Sequence, residues 1–268
     1  MGNVKFISSK NNDFIVETAK LKQKKYRAEK NMFYTEGVKL LKEAMGSRYK
    51  SKIKSIIVEE SIFRGTDIQN IIKNCGNCEI IEVTGEVYKK ITDEEAFQGV
   101  MCVIEKDKTS ENVNLNYNKP VIILDSVRDP GNVGAIIRTA YAIYDFDIIL
   151  SEDCADIYNS KTQRAAMGAV FKQNIIICKN LYLEITNLKK SGYNIFAAHL
   201  DKNSNSVKEV EFNSKTAVIF GNEGNGLSGG IVSLCDKKII IPINQYSESL
   251  NVSVAAAIIM WEMSKAGR

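Results

Sequence analysis

The chain has 268 residues, 44% hydrophobic and 25% charged, with 17 Gly and 3 Pro. That composition excludes disordered and collagen-like polymers and leaves material for one large domain or two ordinary ones. Net charge is only +4, but it is unevenly spread: residues 1–54 hold 14 Lys/Arg against 5 Asp/Glu, residues 55–110 hold 6 against 11, and residues 111–268 hold 16 of each. The positive surplus sits in the first fifth of the chain, where an acidic polymer could be gripped.

A single histidine, His199, rules out multi-histidine metal sites and leaves any Ser-His-Asp or Cys-His pair one candidate. No run approaches the roughly 18–20 apolar residues that cross a bilayer. The first ten residues lack the apolar core of a secretory signal, so a cytoplasmic protein with no membrane partner is expected. Its six cysteines then read as reduced thiols. Cys75 and Cys78 form a C-x-x-C, but no second pair follows. Small residues around a turn are preferred there to a zinc ribbon or a redox dithiol, and no metal site is expected.

Along the chain, residues 14–30 read as a helical stretch crowded with cations, and the basic excess continues to Lys54. A solvated face and a phosphate-facing surface both fit, the latter presenting Lys22, Lys24, Lys25, Arg27 and Lys30. Thr35 is expected to open a helix carrying Val38, Leu41 and Met45 at helical spacing. Apolar runs at 55–58, 79–83 and 99–104 alternate with helical segments near 66–74 and 86–92, a small α/β layer structure. Residues 106–118 are polar and aperiodic and read as a linker, giving domains at 1–105 and 119–268. Strands then follow at 121–125, 147–150, 171–177, 194–198, 217–220 and 238–243. Helices are expected near 133–144, 160–167, 181–190 and 250–263. Such short, continuous apolar runs suit strands buried on both faces, hence a mostly parallel sheet. Its ligand belongs at the carboxyl ends of the strands.

Three loops stand there. In residues 125–140, Pro130-Gly131 marks a turn, Asn132 can cap the next helix, and Arg138 lies four residues beyond Gly134 on one helical face. In residues 220–230, Gly224, Gly226 and Gly229 spell G-x-G-x-x-G after a strand. Only about eight residues precede the next strand, too few for the helix of a dinucleotide-binding unit, and no Lys-Ser/Thr pair makes a P-loop. Glu223 is the lone carboxylate in that loop. In residues 241–259, Ser249 can cap the last helix, with Asn251 and Ser253 in or beside its first turn and a slim Ala255-Ala256-Ala257 run behind them.

Together these loops resemble the SpoU (SPOUT class) RNA 2′-O-ribose methyltransferases: Asn132 and Arg138 in the first, Gly-Asn-Glu-Gly at 221–224 in the second, and Ser249-Leu250-Asn251-Val252-Ser253 in the third. The stretches ISSKNN, KKYRAEKNMF and YTEGVKLL are similar to the substrate-binding domain of that family, which resembles ribosomal protein L30e. One departure is visible: Ile243 and Gln245 stand where the family often has Met and Gly. The resemblance implies two α/β domains, the second a mostly parallel SPOUT domain with a deep trefoil knot. It also implies a homodimer and S-adenosylmethionine held through Gly221, Gly224, Ile241, Ile243 and Leu250. Asn132, Arg138, Glu223, Ser249 and Asn251 become the implied catalytic set, acting on the ribose 2′-hydroxyl of structured RNA. Ribosomal RNA is the first choice of substrate and tRNA the second. A non-catalytic RNA-binding protein keeping the fold is the alternative.

The sulfonium of S-adenosylmethionine is already activated, so alignment and proton departure are what remain for the protein. A guanidinium titrates above about pH 12, which suits Arg138 as a cation holding a phosphate or oxyanion, not as a base.

Overall fold

The basic stretch at 14–30 folds as two helices, not one. In the computed structural model, which describes residues 4–107, 115, 118–201 and 203–266, α1 (Asp13–Lys20) is separated from α2 (Lys24–Glu29) by a turn after Leu21. They follow strand β1 (Val4–Ile7) and precede β2 (Met32–Glu36). The break has a local cause. Arg27 is buried, 3% exposed, and its Nη1 donates to the carbonyls of Leu21 and Lys22, both at 2.8 Å. A guanidinium thus satisfies carbonyls that the end of α1 leaves open.

The helix expected from Thr35 begins instead at Val38 (α3, Val38–Met45). Thr35 belongs to β2, whose Phe33, Tyr34 and Thr35 are buried. Gly37, at φ 98°, makes the sharp exit from strand to helix. Then come β3 (Ile53–Glu59), α4 (Thr66–Asn74), β4 (Glu79–Val83), α5 (Gly85–Ile91) and β5 (Val100–Glu105). The sheet order is β1-β4-β3-β5-β2, parallel across β1, β4 and β3 and antiparallel where β5 meets β3 and β2. Its core gathers Ile57, Ile81, Tyr88 and Met101 under Ile15 and Leu21.

The chain divides into two units, Met1–Lys108 with Tyr158–Lys172, and Thr109–Ile157 with Gln173–Arg268. Of the linker expected at 106–118, residues 108–114, 116 and 117 lie outside the described residues.

The second unit is a seven-stranded, wholly parallel sheet of order β10-β12-β9-β11-β6-β7-β8. It begins with β6 (Val121–Leu124), α6 (Pro130–Ile143) and β7 (Asp147–Ser151). Helix α7 (Ser160–Ala166) lies in the segment grouped with the first unit. There Gln163 donates to the carbonyls of Tyr34 and Tyr158, and Tyr158 and Phe171 pack on Phe33. The strand expected over 171–177 therefore starts late, at β8 (Ile175–Cys178), because Phe171 belongs to that aromatic cluster.

After α8 (Leu181–Lys190), β9 (Asn194–Ala198), β10 (Asn205–Ser206) and β11 (Thr216–Phe220), a short α9 (Gly229–Leu234) leads into β12 (Lys237–Ile240) and α10 (Val252–Lys265). The spacing after Gly229 thus admits a helix after all: six residues, capped by Ser228, between two strands of the same parallel sheet. Every residue of β6, β7 and β11 is buried, as continuous apolar runs require. From β6 the chain goes to β7 on one side; from β11 it goes to β12 on the other. The neighbours β6 and β11 therefore mark a switch point, where a crevice opens beyond the strand ends.

Candidate active site

The loops after β6 and β11 flank that crevice, and the loop after β12 joins them. Asp129, not Asn132, caps α6, accepting from the Asn132 backbone N–H at 2.8 Å. The Asn132 side chain is left for other work. Its Nδ2 donates to Glu223 Oε1 at 2.8 Å, and its Oδ1 accepts from Asn251 Nδ2 at 3.0 Å. Asn251, not Ser249, caps α10, accepting from the Ser253 and Val254 backbone N–H groups at 2.8 and 3.4 Å. Each of the three loops contributes one side chain to a directional chain, Asn251 to Asn132 to Glu223. With its acceptor committed to α10, Asn251 presents its amide as the donor, which fixes the Asn132 amide in turn.

Further contacts from Asn222 and Ser126, whose roles were not legible in the sequence, set the backbone beneath it. Asn222 Nδ2 donates to the Ser126 carbonyl at 2.9 Å, while its Oδ1 accepts from the Gly224 and Asn225 N–H groups. Asn222 and Gly226 also exchange backbone hydrogen bonds. The resulting turn is tight enough that a Cβ on Gly221 would stand 2.4 Å from the Gly226 carbonyl carbon. Ser126 is held at φ 57°, a region costly to residues with a side chain. Its N–H donates to Ser151 Oγ at 2.8 Å and its Oγ to Asp153 at 2.6 Å. The hydroxyls of Ser126 and Ser151 hold the Asp153 carboxyl below the usual carboxylate range. Burial pushes the neighbouring Asp125 carboxyl up.

Beside these loops lies a cavity of about 640 Å³. Its wall includes Gly221, Gly224, Ile241, Ile243 and Leu250, together with Glu223, Ser249 and Asn251. It also includes Ala198, His199 and Leu200 from the end of β9, which motif reading missed. The signal was topological: β9 pairs with both β11 and β12, so its carboxyl end opens on the same space. Volume and lining, mostly main chain and aliphatic with a few polar groups, suit a small organic cofactor.

The other expected residues lie elsewhere. Arg138 is exposed on α6, does not line the cavity, and makes no side-chain hydrogen bond or ion pair among the described residues. In the first unit, burial removes Arg27 from the expected phosphate-facing set, as described above. Lys22 donates to the Thr92 carbonyl and stands 3.5 Å from Asp93; Lys30 pairs with Glu17 at 3.1 Å. Lys24 and Lys25 are exposed. Cys75 and Cys78 are free thiols, the Cys75 thiol donating to the Ile72 carbonyl, and burial pushes Cys78 up. No group of three or more His, Cys, Asp or Glu is placed to hold a metal among the described residues, and none of their helices is long and apolar enough to cross a membrane.

Residues 119–261 match the model of the SpoU rRNA methylase family, and residues 12–102 match an MRM3-like substrate binding domain. The chain is 30% identical over 260 residues to the 23S rRNA (guanosine(2553)-2′-O)-methyltransferase RlmP of Bacillus subtilis, covering 97% of this chain and 99% of that protein. A putative TrmH family tRNA/rRNA methyltransferase of Staphylococcus haemolyticus is 30% identical over 83% of this chain and 91% of its own length. The AdoMet-bound rRNA methyltransferase of Sinorhizobium meliloti superposes with a TM-score of 0.86 at 28% identity, over 98% of both chains. From its three loops to its near full-length relatives, the chain belongs to the SpoU rRNA methylase family.

Proposed function

We propose that this protein transfers the methyl group of S-adenosylmethionine to a ribose 2′-hydroxyl of 23S rRNA. One observation carries the proposal: the three-loop chain Asn251–Asn132–Glu223 beside a cofactor-sized cavity at the switch point of a parallel sheet. The full-length relationship to a 23S rRNA enzyme favours rRNA over tRNA, and first-unit residues 12–102 then bind the substrate.

The cofactor fits the cavity, with Gly221, Gly224, Ile241, Ile243 and Leu250 as its wall. When bound it supplies an activated methyl whose leaving group is a neutral thioether. The protein's part is alignment and proton departure. Glu223 accepts from Asn132 and pins its amide, so this rim presents a preset polar edge to a ribose. Ser249, whose side chain is not engaged by that chain, is available to the incoming sugar. Arg138 acts as a cation that holds a substrate phosphate or the developing oxyanion. The 2′-hydroxyl proton leaves to that phosphate or to water.

Arg138 shares an exposed face of α6 with Tyr141, and α10 exposes Val254, Ile258 and Trp261 at spacings of four and three. Helices α6 and α10 pack on each other, so these residues offer an apolar face for a homodimer. Dimerisation there surrounds Arg138 with a second copy and completes its site. A trefoil knot involving the loops at 221–228 and 241–251, and a cytoplasmic setting, belong to the same proposal.

Calorimetry with S-adenosylmethionine and with NAD tests the cavity; binding of NAD alone would overturn the cofactor assignment. Labelled methyl transfer to 23S rRNA and tRNA transcripts then tests the substrate. Transfer confined to tRNA would move the reaction to that RNA, and cofactor binding without transfer to either would point to a non-catalytic RNA-binding protein.

A further inference from the structure

The cations of residues 1–54 are unequally available. Arg27 is buried, Lys20 and Lys30 both pair with Glu17, and Lys22 pairs with Asp93. A different group surrounds a concave space. Residues 47–54 and the turn from α4 to β4 enclose a groove of about 680 Å³ lined by Arg48, Lys50 and Lys54. Ser51 and Asn77 add polar groups, and no acidic residue is among those that line it.

Two of these cations are pre-set. Arg48 Nε stands 3.1 Å from Asp107 Oδ2 and its guanidinium lies 5.3 Å from the centre of the Tyr49 ring. Lys54 Nζ is 2.6 Å from Glu105 Oε2. Lys52 also pairs with Asp107, so three cations share two carboxylates and, with Lys50 beside them, the locality stays positive. Lys50 is exposed, with no side-chain hydrogen bond or ion pair among the described residues. Across from it Gly76 adopts φ 75° with open space where a Cβ would stand, so its bare backbone lets a ligand come close.

We propose that this groove is a phosphate-binding site that holds the sugar–phosphate backbone of the RNA substrate, positioning it without reading its sequence. The proposal rests on the substrate being RNA. A groove of this shape admits a polynucleotide strand and its phosphates, whereas the flat surface of an anionic bilayer cannot enter it. Its cations lie at 48–54, a different part of the surplus from the lysines at 22–30.

The test uses the full-length protein and a 23S rRNA transcript. Lys50→Glu, a change at an exposed residue with no partner to lose, should weaken RNA binding by about tenfold. The triple variant Arg48→Ala, Lys50→Ala, Lys54→Ala should flatten the slope of log affinity against log salt by about 2, as expected for roughly three single-strand phosphate contacts. KM for RNA should rise while affinity for S-adenosylmethionine stays the same. Unchanged RNA affinity and salt slope in both variants would overturn the groove. So would binding of inorganic phosphate by the wild type that is lost in Lys50→Glu while RNA affinity is unchanged, which would assign the groove to a free anion. Binding of anionic phosphatidylserine vesicles lost in Lys50→Glu, with RNA binding intact, would overturn it in favour of a membrane. If the wild type itself neither binds nor methylates RNA, the RNA methyltransferase assignment falls instead.

Discussion

Two polar regions of this molecule are built on opposite terms. At the switch point of the second sheet, Asn132, Glu223 and Asn251 come from loops 91 and 119 residues apart from Asn132, yet they meet within 3.0 Å. In the first unit, Lys22 to Lys30 are neighbours in sequence, yet they scatter: one points inward, two reach carboxylates and two lie on exposed positions. A parallel sheet brings its strand ends together whatever the separation along the chain, so polar residues just after strands converge. A run of charge on short helices has no such constraint, and its side chains go separately to local partners or to the surface.

The contrast can be broken most sharply at Arg138. Arg138→Ala should lower methyl transfer by about 10²–10³-fold, the loss typical of removing a charged transition-state contact, with cofactor affinity within about threefold by calorimetry. Turnover retained in that variant would remove Arg138 from the site. Gly221→Ala probes the second loop. Its Cβ meets backbone, which cannot yield as a side chain can, so the cost should be about 1–3 kcal/mol in thermal unfolding, with loss of cofactor binding.

The basic helices offer the opposite case. Arg27→Ala removes a buried guanidinium that donates two hydrogen bonds, and should destabilise the protein by about 2 kcal/mol in denaturant titration. Lys25→Ala, on the exposed side of the same helix, should stay within about 0.5 kcal/mol. If the two changes cost the same, Arg27 is not the plug that ends α1.

A smaller effect than at Arg27 is expected at Asp153. Its carboxyl is held low by the Ser126 and Ser151 hydroxyls, so its folded pKa lies beneath the unfolded value. Its stabilisation is therefore present above the unfolded value and lost as pH falls through the folded one. With the side chain about half exposed, the contribution is about 1 kcal/mol after solvent screening. Asp153→Asn should lower Tm at neutral pH and converge with the wild type in acid. Parallel curves across that range would remove Asp153 as the anchor of the Ser126 backbone.

The three loops were legible because each follows an apolar run that ends in Gly, Pro, Asn or Ser, and their residues recur in a known order. Which residue caps each helix was not. Asp129 takes the role expected of Asn132, whose amide is spent on Glu223 and Asn251, and Asn251 takes that expected of Ser249 because its amide can cap α10 through Oδ1 and still reach Asn132 through Nδ2, a tertiary matter. Asn222 was seen only as part of the motif and not as the residue that ties two loops together, and the strained Ser126 escaped notice since a left-handed backbone at a serine leaves no compositional trace. Strand β2 was hidden because its run of Met-Phe-Tyr-Thr-Glu is short and abuts a helical pattern, with only Gly37 to separate them. The attachment of residues 158–172 to the first unit depends on an aromatic cluster of Phe33, Tyr49, Tyr158 and Phe171 drawn from distant parts of the chain. Deleting residues 1–105 would strip Tyr158 and Phe171 of those partners.

The central claim, that the three-loop site modifies a ribose oxygen, is tested most directly by alkaline hydrolysis of 23S rRNA after incubation with the protein and S-adenosylmethionine. A 2′-O-methyl group blocks strand cleavage at its own nucleotide, because the 2′-oxygen can no longer attack the adjacent phosphate. One position newly resistant to alkali with the wild type, and sensitive again with Arg138→Ala, is the expected result. Methyl incorporation that leaves every position alkali-sensitive would place the methyl group on a base and contradict the claim.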